Sequence, residues 1–172
     1  MIKNIIITLI SDDKPGVVEA VAKTISEHQG NWLESQLAKL AGKFAGVIRV
    51  QLDEAQLDAL EHGLSSLKDI NVQLHEDRSS AEQTTSIRIL SFHATGPDRP
   101  GIVREISAAL AQYSINLEKL DTRLSSMPYS GDPLFEAEGL MAVPEQIDKN
   151  ELAERFDQIA DELAMDISIT ED

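Results

Sequence analysis

Cysteine is absent from the 172 residues, which excludes disulfide staples, thiolate metal centres and a cysteine nucleophile. Basic residues are scarce, 15 Lys and Arg against 30 Asp and Glu, for a formal net charge of −15. Nowhere do Lys and Arg cluster as a surface that displaces counterions from phosphate must, so direct nucleic-acid binding is not expected. The stretch 145–172 holds ten carboxylates against Lys149 and Arg155, a pattern of solvated surface or of steering toward a basic partner. No apolar run approaches the ~20 residues of a membrane span, and Met1 to Ile7 has neither the length nor the cleavage site of a signal peptide. A soluble cytoplasmic chain with no membrane association is the expectation.

Catalytic signatures are missing too. His28, His62, His75 and His93 show no metal-ligand spacing, and neither a Gly-rich phosphate loop nor a Gly-x-Ser-x-Gly turn occurs. His93 is the most interesting of the four, since it falls on a first strand five residues before Asp98. No catalytic residue, metal ligand or resident cofactor is expected, and the chain does not read as an enzyme. The lone Trp32 reads as core filler, and the Pro-bracketed segment 127–133 reads either as a solvated hairpin extension or as a partner contact.

What is present is a repeat. Asp13-Lys14-Pro15-Gly16 returns as Asp98-Arg99-Pro100-Gly101, 85 positions on, and the same offset carries Asn31 onto Asn116. It also superposes the helical apolar set Val17, Val18, Val21, Ile25 on Ile102, Val103, Ile106, Leu110. Register held over a whole helix makes two copies of one domain. In the first copy, periodicity predicts a strand at 5–10 and an amphipathic helix from Pro15 to about Gln29. Gly30 stands there as the left-handed helix stop, and strands follow at 31–40 and 44–52. A helix carrying Leu57, Leu60, Leu64 and Leu67 and a last strand at 70–75 complete the copy. The second copy predicts strands at 87–94, 116–124, 134–143 and 165–170 with helices at 100–113 and 148–163. Each is βαββαβ, an α+β plan with an antiparallel sheet and both helices on one face. The domain bounds are 1–77 and 87–172, with 78–86 as a polar linker.

A βαββαβ unit whose first strand runs into Asp-x-Pro-Gly, with Asn sixteen residues after the Pro, resembles the ACT domain. Pro15 with Asn31 and Pro100 with Asn116 both fit. A tandem of ferredoxin-like ACT domains filling the chain, with Met127-Pro128-Tyr129-Ser130-Gly131-Asp132-Pro133-Leu134-Phe135 in the second, is similar to the glycine cleavage system transcriptional repressor family. The resemblance implies a regulator that binds an amino-acid effector such as glycine. It would act without touching DNA, through a transcriptional activator protein as partner. The other reading is a stand-alone amino-acid sensor acting on a metabolic enzyme or kinase. A homodimer is a further expectation, from small domains with exposed sheet edges.

The residues themselves outline a ligand site. An amino acid needs donors for its carboxylate and acceptors for its ammonium. The first-helix N-terminus supplies free N–H groups, Asp13 or Asp98 an acceptor, and Asn31 or Asn116 both functions. The resemblance places the Asp-x-Pro-Gly and Asn positions against a ligand held between adjacent ACT units. Ser11 and Gly96 occupy equivalent places in the first-strand loops, and Gly16 and Gly101 complete the binding set. Each has a plainer use: the aspartates as helix caps, the asparagines as left-handed turn formers, the glycines for close backbone approach.

Overall fold

The computed structural model describes residues 1–78 and 86–171. Positions 79–85 of the expected linker, and Asp172, lie outside the described residues. The chain divides into two compact units, Met1–Glu82 and Gln83–Asp172.

In the first unit β1 (Ile2–Asp12), α1 (Val17–Glu27), β2 (Asn31–Leu40), β3 (Lys43–Asp53), α2 (Leu57–Ser65) and β4 (Ile70–Glu76) form a four-stranded antiparallel sheet in the order β2-β3-β1-β4. The second repeats it with β5 (Ile87–Pro97), α3 (Ile102–Gln112), β6 (Asn116–Ser126), β7 (Pro133–Pro144), α4 (Lys149–Leu163) and β8 (Asp166–Glu171), ordered β6-β7-β5-β8.

Alternation along the strands builds each core. Ile5, Ile7 and Leu9 of β1 and Ile48, Val50 and Leu52 of β3 point to one face, where Val17, Val21 and Ile25 of α1 and Leu60 and Leu64 of α2 cover them. Leu90, Phe92, Ala94, Met141 and Val143 do the same beneath Ile102, Ile106, Leu110, Leu152 and Phe156. Each of the larger side chains contributes about 1.5–3 kcal/mol on leaving water. Val18 and Val103, expected in the core stripe, are 44% and 42% exposed. They adjoin Val17 and Ile102, which take the buried position of the first turn.

The helix ends differ from expectation. α1 stops at Glu27, and the left-handed residue is Gln29 (φ 59°), matched by Ser114 (φ 57°), not Gly30. Gly30 lacks a side chain for a packing reason, since a Cβ there would lie 2.8 Å from Ile25 Cγ2 and 3.1 Å from Val50 Cγ1. α2 is entered through a short 3-10 turn, Glu54–Gln56, capped by Asp53, which accepts a hydrogen bond from Ala55 N at 3.0 Å. β1 and β5 run on to Asp12 and Pro97 because β3 and β7 pair with them to those ends. A bulge at Trp32/Glu34 recurs at Leu117/Lys119, again 85 positions on.

Candidate functional site

The loop after the first strand is tied down in the same way in both units. Asp13 N donates to Gly42 O (2.9 Å) and Asp98 N to Pro133 O (3.0 Å), so each Asp-x-Pro-Gly turn is tied to the hairpin of its own unit. Gly16 and Gly101 are the helix N-caps at φ 92° and 94°, with no side-chain cap hydrogen bond in either helix. The aspartates therefore do not cap. Nor are the glycines there for close approach: nothing lies within 4 Å of a Cβ built on Gly16, and only Glu105 Oε1, at 3.7 Å, on Gly101. Their requirement is the positive φ. The first free N–H groups of α1 and α3 are thus left without a side-chain acceptor of the capping kind.

Over the first loop lies an open cleft of about 480 Å³, bordered by Asp13, Lys14, Gly16, Val18, Glu19, Ala22 and Phe44. The Asp13 carboxylate is held by Lys39 Nζ at 2.5 Å, and Lys14 turns away to Asp69 Oδ2 at 3.0 Å. The cleft thus combines a helix N-terminus, the carboxylates of Asp13 and Glu19 and a neighbouring ammonium beside an apolar wall. Such a surface can hold a small zwitterion.

The rest of the expected set divides. Ser11 is 5% exposed, donates to Asp12 O at 3.0 Å, and borders a different cleft, beside Asp69 and Ile70. Gly96 faces the corresponding cleft of the second unit, where a Cβ would strike Met165 Cγ at 2.8 Å, so its smallness serves packing. Asn31 is opposite Gln51, which is opposite Asn4. Asp13 is nine residues further along the chain from Asn4, about 30 Å at strand rise. Asn116 stands likewise, opposite Ala142 and hence Ile89, with its Nδ2 donating to Glu118 Oε1 at 3.0 Å. Within either unit the Asp and the Asn occupy opposite ends of the sheet. Neither asparagine has a positive φ, so the turn-forming explanation for them is removed.

His93 sits in a second group of ionisable residues, on the sheet face of the second unit away from its helices. Its Nε2 is 3.9 Å from Glu138 Oε1, Arg123 Nη2 is 3.7 Å from the same oxygen, and Lys119 pairs with Asp121 at 2.7 Å. Arg123 also pairs with Glu136, to which Ser125 Oγ donates at 2.9 Å. The Arg123 guanidinium, then the Ser125 hydroxyl, hold the Glu136 carboxyl below the usual carboxylate range. Sequence reasoning missed this network. Its only signal was the alternation of Glu136 and Glu138 with the buried Phe135, Ala137 and Gly139. Among the described residues no group of His, Asp and Glu has the arrangement of a metal site, and no helix is long and apolar enough to cross a membrane.

Two four-stranded βαββαβ units, each with a glycine-capped loop at the end of its first strand, define a tandem ferredoxin-like fold. Residues 3–75 match the model of the ACT domain family; the second unit shares the strand order, the loop and the bulge of the first. Among the solved structures that match over the whole chain are two with TM-scores above 0.7. One is a protein of unknown function from Galdieria sulphuraria, at 23% identity and TM-score 0.83, covering 100% of this chain and 99% of its own. The other is a protein provisionally named as a glycine cleavage system transcriptional repressor, at 17% identity and TM-score 0.73, covering 99% and 97%. No curated protein sequence matches the chain.

Proposed function

We propose that this chain is a regulatory protein that senses a small amino acid, glycine foremost, and passes the signal to a protein partner. The single observation that carries the reading is the open cleft over Asp13-Lys14-Pro15-Gly16, at a helix N-terminus within a tandem ACT fold. The partner we propose is an activator of transcription, contacted without DNA. The whole-chain likeness to a protein provisionally named as a glycine cleavage repressor supports that choice, and so does a chain with 30 acidic against 15 basic residues. A ligand controls a partner only by preferring one state of the protein, and tenfold control needs about 1.4 kcal/mol of difference.

Affinity capture from native extract with and without glycine tests the partner. A DNA-binding regulator whose retention changes with glycine supports the proposal. A metabolic enzyme or kinase retained in the same glycine-dependent way replaces the transcriptional role with the other reading. Retention indifferent to saturating glycine contradicts ligand control, because coupling between two binding equilibria must be reciprocal.

A further inference from the structure

Each sheet buries one face under its helices, and the opposite faces of the two units are built differently. In the first unit Thr8 of β1 stands between Val47 and Gln73, with Gln36 beyond Val47. Two residues on, Ile10 stands between Ala45 and Asn71, with Ala38 beyond Ala45. Both rows alternate with the buried Ile7 and Leu9, so they face away from the core, and none of these eight side chains is charged. Val47 and Ile10 are 44% and 48% exposed. Charge flanks the rows at both ends and is already paired there. Beyond the Thr8 row Arg49 meets Glu34 at 3.1 Å and Asp77 at 2.6 Å, and beyond the Ile10 row Lys43 meets Asp12. In the second unit the first row holds His93 with Glu138, Asp121 and Ser168, and the next holds Thr95 with Glu136, Arg123 and Asp166. Four carboxylates and one guanidinium thus stand where the first unit has amides and small or β-branched side chains.

We infer that the uncharged face of the first sheet is where two copies of this chain associate, face to face about a two-fold axis. A two-fold contact sets one patch against itself, so any net charge at its centre meets its own like. In a chain of net charge −15, the Thr8 and Ile10 rows satisfy that requirement and the corresponding rows of the second unit do not. An uncharged centre inside a polar rim is also how specific interfaces are composed. A basic partner would be steered instead to the carboxylates of the second face. The size suffices. Four strands of about ten residues, at about 3.3 Å per residue and about 4.8 Å apart, span roughly 600 Å² per copy, and a specific interface buries about 600–1,000 Å² per partner. Association through this face does not depend on amino-acid sensing, since the Asp13 cleft borders α1, on the helix side of the sheet.

Sedimentation equilibrium of the full chain over a concentration series tests this, and the wild type is expected to dimerise. Gln36→Glu with Gln73→Glu, isosteric and exposed, places two like charges on the patch of each copy. It is expected to raise the dimer dissociation constant about tenfold or more. Val47→Glu, between them, is expected to do the same, and the isosteric pair decides if Val47→Glu does not fold. Ser168→Glu, which puts a charge at the place in the second face equivalent to Gln73, is expected to leave dimerisation unchanged. A wild type that stays monomeric up to roughly millimolar concentration overturns the inference, as do dimers that persist in the folded Gln36→Glu, Gln73→Glu variant or that weaken equally in Ser168→Glu. A monomer that captures a protein from native extract, and loses it in the Gln36→Glu, Gln73→Glu variant, assigns the face to that protein and overturns the inference as well.

Discussion

Asp13 and Asp98 occupy equivalent positions and serve different chemistry. Asp13 borders the open cleft and pairs with Lys39, while Asp98 stands in the loop where Arg99 pairs with Glu105. Neither caps its helix, so truncating either costs less than a lost cap. For Asp13→Ala we expect glycine affinity to fall about tenfold with under about 1 kcal/mol of stability lost, the scale of a surface ion pair. Asp98→Ala should leave glycine affinity unchanged. Parallel titrations and melts of the two variants check both statements. The glycines separate in the same manner. At Gly46 a Cβ would stand 2.1 Å from Gln36 O, against backbone that cannot yield; at Gly16 space is open and only φ 92° resists. Gly46→Ala should therefore destabilise more than Gly16→Ala, by about 1–3 kcal/mol or more against about 1–2, as denaturant midpoints would show. The repeat made Asp13, Gly16 and their counterparts visible in sequence. It could not show that Lys39 would reach Asp13 or Arg99 reach Glu105, because those pairs depend on long side chains meeting across elements.

At the scale of elements, the order βαββαβ was legible twice because its cause is local. Ile5, Ile7 and Leu9 alternate as a half-buried strand must, and Val17, Val21 and Ile25 recur at helical spacing. The ends were less legible. The helix stop was assigned to Gly30 on residue type, while tertiary packing against Ile25 and Val50 fixed that glycine and left the left-handed turn to Gln29. The position of Asn31 was the largest omission: its separation from Asp13 follows from the β2–β3 and β1–β3 registers, which no local pattern encodes. The hairpins differ by insertion alone. Ala41-Gly42 joins β2 to β3 with both residues at positive φ, whereas β6 and β7 are joined through Met127–Asp132, with Tyr129 fully exposed at the tip. The closing pairs Leu40↔Lys43 and Ser125↔Leu134 are equivalent. Replacing Ser126–Pro133 by Ala-Gly should therefore keep the fold and change stability by about 1 kcal/mol, the scale of loop-closure entropy. Circular dichroism melts test this, and loss of the second unit's structure would show that the longer loop is needed for folding.

For the whole molecule, the excess of acid sets the response to pH. Glu136 beside Arg123, Glu105 beside Arg99, Glu171 beside Lys149 and Asp12 beside Lys43 all titrate below their ordinary values in the fold. Their stabilisation is fully present above the unfolded carboxylate range, about 4. It is lost as pH falls through that range, because there the unfolded chain binds more protons. Lys3 and Lys119, raised by Glu54 and Asp121, act at the other limit, and their contribution fades only as pH rises through their folded values. Melting temperature should accordingly be flat near neutrality and drop on acidification below about pH 5. A melting temperature that rises over that interval would contradict the assigned pairs.

The central claim is that a small amino acid binds the first unit, and calorimetric titration of the intact chain with glycine, serine and alanine measures it directly. Glycine should bind with a saturable heat at one equivalent per chain, diminished in Asp13→Ala and preserved in Asp98→Ala. The absence of saturable heat with all three amino acids would contradict it.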